Sequence, residues 1–323
     1  MALLERGLLI AGVALFAVLL YQIGVAAVWV NLRLIGWGFA FILGQELLAI
    51  AANAVGWYWA FSAPRPPVPF RLLFAARIAG DAINNVTPTA TVGGEVVRVR
   101  LLDGHVDSTA AWASVAIAKL SQTFSQIGFV VIGLLFVLDD ISLPAGFQQG
   151  LFVGLTLLGT GFAIAVALQR RGMFTAAINL ARRLGLPVPA RIGHQLQVLD
   201  AEIARFYRTP WAFLGSTAFF LLGWFVGVIE IYLILLFLDV GANWHRALTI
   251  EVLSVAVDAV LFFVPARAGT QEGSKVLIFT AMGLDAAKGL SLGIARRIRE
   301  LGWALVGLAI MSHHQARQRR AAP

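Results

Sequence analysis

The chain has 323 residues, of which 59% are hydrophobic and only 13% charged, and its mean hydropathy is +0.82. A soluble domain carries about 25% charged residues, so this chain is too poor in charge to solvate a globule of its own. It contains no cysteine, which excludes disulfides, thiolate catalysis and cysteine-ligated metals. The formal net charge is +8 and the excess is almost all arginine. These cations stand beside apolar runs, a placement that points to membrane topology and anionic lipid rather than to nucleic acid.

An α-helix needs about 20 apolar residues to cross a hydrocarbon core of about 30 Å. Taken in chain order, runs of that kind predict six spans, near 8–30, 37–61, 112–138, 150–168, 211–238 and 286–312. The first is too long for the apolar core of a signal peptide and is expected to stay as a span. Trp29, Trp37, Trp112 and Trp211 lie near span ends, as an interfacial aromatic belt requires. Pro64, Pro66, Pro67 and Pro69 mark the turn after the second span. Two regions, 70–102 and 248–284, are mostly apolar but carry a proline near the middle.

The segment 169–210 holds seven arginines against two acids, so it is expected on the cytoplasmic side. Within it Ile178, Leu180, Leu184, Leu196, Leu199 and Ile203 recur at roughly helical spacing, predicting short amphipathic helices on the membrane surface. The loop 139–149 opens with Asp139 and Asp140 and has no base, as an external loop should. Counting spans from these anchors puts both termini in the cytoplasm, provided each proline-broken region returns to the side it entered from.

Those two broken regions match each other. DAINNVTPTATVGGEVVR (81–98) and DAVLFFVPARAGTQEGSK (258–275) share an acid, a proline, an acid and a base at the same spacing. The pairs are Asp81 with Asp258, Pro88 with Pro265, Glu95 with Glu272 and Arg98 with Lys275, all 177 residues apart. At the same offset Lys119 falls on Arg296 and Asn53 on Glu230. An internal repeat accounts for this agreement. Three predicted spans separate the two motifs, and an odd number inverts the second half relative to the first. Interrupted helices at matching places of two inverted repeats are the arrangement of a secondary transporter, with its binding site near the midplane. Proline breaks the helix, Gly93, Gly94 and Gly269 permit a tight return, and freed helix ends at membrane depth line a polar cavity.

Asp81, Glu95, Lys119, Glu230, Asp258, Glu272 and Arg296 all fall within membrane depth on this map. Facing lipid, they would together cost on the order of 20 kcal/mol, so they must face one another or water. Asp81 also reads as a helix cap, and Glu95 with Arg98, like Glu272 with Lys275, as a local ion pair that fixes its hairpin. Arg296, Arg297, Arg299 and Glu300 read equally as a juxtamembrane anchor or as a cationic surface for a lipid phosphate. Gln45, Glu46 and Asn53 on the second span read as helix-packing contacts. The five histidines (His105, His194, His245, His313 and His314) lack metal-ligand spacing, and no phosphate loop or nucleophile motif appears. Neither metal nor cofactor is expected.

At GDAINNVTPTATVGGEVVRVRLL (80–102) and VPARAGTQEG (264–273) the chain resembles the flippase-like family that shares the transmembrane region of lysylphosphatidylglycerol synthases. Within it, the chain is most similar to the short, hopanoid-biosynthesis-associated bacterial membrane proteins. The resemblance covers nearly the whole chain and implies lipid translocation, or support of lipid transport, in the bacterial inner membrane. It makes Asn84, Asn85, Pro88, Gly93, Gly94, Glu95, Arg98, Pro265, Gly269 and Glu272 candidate site positions. The chain lacks the soluble aminoacyl-transferase domain of the full synthases, so lipid aminoacylation is not expected. Arg267, beside Pro265, adds a charge to which the pattern gives no role.

The expected protein is therefore an all-α, polytopic, single integral membrane domain (1–323). Its repeats are 1–140, with a re-entrant hairpin at 70–102, and 150–312, with the linker 169–210 and a hairpin at 248–284. Asp81, Lys119, Asp258, Lys275 and Arg296 join the candidate positions as binding residues. The leading function is movement of a polar-headed lipid, an anionic phospholipid or a hopanoid, between leaflets. The alternatives are a membrane-embedded enzyme acting on a lipid headgroup, with Asp81 or Glu95 as base, and a scaffold for lipid-synthesis enzymes. Partners would be membrane lipids and such enzymes, not nucleic acid.

Overall fold

The computed structural model describes residues 25–86, 92–137, 145–185, 189–261 and 269–321, with Val18, Tyr21 and Val264 besides. Twelve helices fill these residues: α1 (Val25–Ile35), α2 (Gly38–Trp59), α3 (Phe70–Val86), α4 (Val92–Leu101), α5 (Ser108–Val137) and α6 (Ala145–Arg170), then α7 (Met173–Arg183), α8 (Ala190–Phe206), α9 (Pro210–Phe237), α10 (Trp244–Val260), α11 (Thr270–Ala281) and α12 (Ala286–Ala321). Helices are what an apolar chain must form in lipid, because only they satisfy every backbone group within one segment.

Among the described residues, four helices are long and apolar enough to cross a membrane: α2, α5, Phe152–Arg170 of α6, and α9. They coincide with the second to fifth expected spans, and the all-helical, polytopic architecture is as the sequence indicates. Most of the first expected span lies outside the described residues, as do Asp139 and Asp140. The sixth lies inside α12, a helix of 36 residues. Its charged middle and polar tail break the apolar run, and the helix continues past His313 and His314 to Ala321.

Helices α2 and α9 cross with small residues between them, the packing that lets membrane helices approach closely. Gly38 lies against Phe237, Asn53 against Gly223, and Trp59 against Gly215. At Gly56, an added Cβ would stand 3.2 Å from both Phe220 and the Ser216 carbonyl. The Ser216 hydroxyl donates to the Gly56 carbonyl at 2.8 Å. Numbers that rise on one helix fall on the other, so α2 and α9 run antiparallel.

Elsewhere the two halves exchange partners. Helix α3 packs on α12, where Gly307 meets Ile78 and Ala82, and α10 packs on α5, where Gly133 meets Val252. Shifted by the 177 residues of the sequence match, α2 to α5 fall on α9 to α12 to within about a turn at each start.

The proline-broken regions become pairs of short helices. A residue adds about 1.5 Å to a helix, so the 17 residues of α3 and the 10 of α4 give rods of about 26 and 15 Å, each shorter than a hydrocarbon core of about 30 Å. The same holds for the 17 of α10 and the 12 of α11. Helices α3 and α4 touch at Gly80 and Gly94, where a Cβ on Gly94 would come 2.2 Å from the Gly80 carbonyl oxygen. Residue Gly269, just before α11, has φ 71°, a conformation that costs glycine nothing.

In the linker, Asp200 of α8 accepts from the N–H groups of Phe174 and Thr175 and from the Thr175 hydroxyl, capping α7. The amphipathic pattern is present, and α8 buries Leu199, Ile203 and Phe206 against the bundle beside Ala111 and Ala113 of α5. Tyr207 donates to Gln169 at 3.3 Å, and burial, partly offset by Arg170, pushes its phenol up to about 12, so it stays neutral.

Gly94→Val should lower the thermal unfolding midpoint in detergent clearly, because overpacking at such a crossing costs about 1–3 kcal/mol. Gly128→Val, at a position with nothing within 4 Å of the new Cβ, should leave the midpoint nearly unchanged.

Candidate functional site: two buried ion-pair clusters

The first cluster joins α3, α4 and α5. Arg77 contacts Asp81 at 2.9 Å, one helical turn away. Arg98 bridges Asp81 at 2.5 Å and Glu95 at 2.6 Å. Lys119 stands 3.9 Å from Glu95 with 46% of its side-chain surface exposed. Both arginines are buried, and Arg77 also lies 5.7 Å from the Phe220 ring of α9. Three bases thus serve two acids. Asp81 is not a helix cap, since it lies inside α3 and its carboxylate ties that helix to α4. The Asn84 side-chain oxygen accepts from the Gly94 N–H at 2.8 Å and closes the hairpin beside it. Asn85 is half-buried in the last turn of α3, and Gly93 opens α4. Pro88 lies outside the described residues.

The second cluster is larger and centres on α12. Arg296 contacts Glu230 of α9 at 2.9 Å and Glu251 of α10 at 2.7 Å. Arg297 contacts Glu272 of α11 at 3.0 Å and Glu300 at 3.3 Å. Arg299 reaches Glu230 at 3.1 Å and also pairs with Glu46 of α2. The Gln271 amide donates to Glu300 at 3.2 Å. Lys275 is fully buried with the Ser274 hydroxyl 3.5 Å from its ammonium. Asp258, on α10, acts electrostatically on Arg296. Gly289 and Gly293 of α12 admit α11, the latter against the Glu272 backbone. Pro265 and Arg267 lie outside the described residues.

These contacts decide several readings that the sequence left open. The charges of the run Arg296–Glu300 are paired inside the bundle with acids from four other helices. Glu46 is more than packing, since it holds α2 to α12. Glu272 reaches beyond its own helix to Arg297, whose planar fork can meet two carboxylates at once. The clusters adjoin, with Asp81 close enough to act on Glu46. Sequence reasoning passed over Arg77 and Glu251, both nearly fully buried. The signal was available in each case: an ionisable residue inside an apolar helix needs a partner.

A bundle of apolar spanning helices whose charges are paired in its interior is a polytopic integral membrane protein. The chain belongs to the family described as the lysylphosphatidylglycerol synthase TM region, which it matches over residues 6–309. It is also similar to the UPF0104 membrane protein PH1989 of Pyrococcus horikoshii, at 23% identity over 312 residues, covering 90% of this chain and 91% of that protein. No solved structure matches. The family gives this membrane protein a lipid-related role.

Removing one partner of a buried ion pair leaves an uncompensated charge and costs about 3–5 kcal/mol. Arg296→Met should therefore lower the unfolding midpoint severely. Adding Glu230→Gln and Glu251→Gln to it should recover much of the loss, read in the same detergent melt.

Proposed function

We propose that this protein carries a polar-headed lipid between the leaflets of a bacterial inner membrane by alternating access between two inverted halves. The observation that carries the reading is the placement of buried, paired charges on equivalent helices of the two halves. One set lies on α3, α4 and α5 and the other on α10, α11 and α12, and the equivalent helices α2 and α9 run antiparallel. In lipid such charges persist only where they serve a polar pathway or one another, and duplication in opposite senses suits a site opened from each side in turn.

In this reading each short-helix pair is a re-entrant hairpin, and the headgroup sits where the clusters adjoin. Lys119, with Arg98 and Arg77 behind it, meets a headgroup phosphate from the base-rich side. Glu95 and Glu272 receive hydroxyl or amine groups. The base excess and the exposure of Lys119 favour an anionic phospholipid over a hopanoid polyol. Both termini lie in the cytoplasm.

Purified protein in proteoliposomes should accelerate leaflet exchange of a labelled anionic phospholipid. Glu95→Gln/Glu272→Gln should slow it at least about tenfold, roughly 1.4 kcal/mol in barrier. Labelled hopanoid run in parallel decides the lipid class. No exchange of either lipid by folded protein, with ion gradients applied, would refute a carrier.

A further inference from the structure

The second cluster is short of positive charge. Glu46, Glu230, Glu251, Glu272 and Glu300 share three arginines. Counting buried Lys275 with the bases and leaving Asp258 aside, the acids still exceed them by one. An excess negative charge in a low-dielectric bundle is costly, and the least costly way to remove it is to bind a cation. One oxygen shows the shortage directly. Glu230 has no exposed surface, and while its Oε2 takes both Arg296 and Arg299, its Oε1 has no hydrogen-bond partner among the described residues.

The cation that fits is a proton. Among the described residues no three carboxylates or histidines converge as a metal ion requires, whereas a proton needs a single carboxylate with a route to solvent. Glu230, Glu251 and Glu272 are closed off, with at most 4% of each side chain exposed, while Glu46 keeps 22%. Glu46 is also the acid with most reason to accept one. Its ion-pair partner, Arg299, is shared with Glu230. The charges acting on it are Arg299 and Arg296 from α12, Glu230 from α9 and Asp81 from α3. Helix α5, which also touches α2, has Lys119 as its one ionisable residue, and that ammonium stands beside Glu95.

We infer that Glu46 is a proton-binding site in which the proton competes with Arg299. With Glu46 ionised, Arg299 ties α2 to α12. When a proton adds to the Glu46 carboxylate the tie is lost, Arg299 stays with Glu230, and the cluster sheds its excess charge. Because α12 also holds Glu272 and adjoins Asp81, this step would couple proton uptake to both clusters. The coupling to transport rests on the carrier reading above; the titration of Glu46 does not.

The test is infrared difference spectroscopy of the purified protein as pH is lowered, with lipid exchange measured in parallel. Wild type should develop a protonated-carboxyl band that Glu46→Gln lacks and Glu300→Gln retains. Arg299→Met should move its midpoint to higher pH, since losing the cation favours the neutral acid. Wild-type exchange should depend on pH, by up to about tenfold per unit for a single proton, and Glu46→Gln should flatten that profile. An unchanged band in Glu46→Gln, or an unmoved midpoint in Arg299→Met, would overturn the site. A Glu46-dependent band without any lipid exchange would uphold the proton site and refute the carrier.

Discussion

Arg296 lies between Glu230 and Glu251, two carboxylates on different helices with almost no exposed surface, and the second half of the molecule is organised around that bridge. Desolvating three charges costs far more than a mispositioned pair returns, so the contact holds only if geometry is kept. The constraint spreads from there. Arg297 fixes α11 and Arg299 fixes α2, so that three residues of one helix set the positions of α2, α9, α10 and α11 together. Helices joined in this way cannot slide gradually past one another. Any movement between them must be a step to an arrangement in which the charges find new partners or are neutralised, which is how packed interfaces convert small events into discrete changes.

The helices α2 to α5 and α9 to α12 follow one order at one offset but are charged differently. Around α3 and α4, bases outnumber acids and one lysine is exposed; around α11 and α12, acids outnumber bases and nearly everything is enclosed. On the proposed account these are separate tasks on a shared scaffold. The first half offers positive charge to a headgroup, and the second stores a charge imbalance that a proton can relieve. A two-fold plan with unequal chemistry would let a proton gradient bias such a carrier, because its two end states then differ in charge as well as in orientation.

Much of this was legible in the sequence. The repeat could be read because Asp, Glu and Pro are scarce in so apolar a chain, so Asp81 with Asp258 and Glu95 with Glu272 stand out at one spacing. The four apolar spans were visible from run length alone. Contacts between helices were not, because a linear pattern does not say which helices meet. Glu46 reads as a packing residue until α12 is placed beside α2. Arg296, Arg297 and Arg299 read as an anchor as long as the end of the last span is uncertain by a turn, the same turn that decides whether they face headgroups or the bundle. Arg77 draws no notice in the sequence until Asp81 is seen beside it. For Pro88 and Pro265, which lie outside the described residues, the sequence pattern remains the whole argument.

The central claim is that the two halves are inverted, and the absence of native cysteine makes it directly measurable. His105, between α4 and α5, and Asp285, between α11 and α12, are exposed and occupy corresponding places in the two halves. Single His105→Cys and Asp285→Cys variants would be treated in intact cells with a membrane-impermeant maleimide. The account predicts labelling of Asp285→Cys from outside and of His105→Cys only after the cells are opened. Labelling of both from the same side would contradict it.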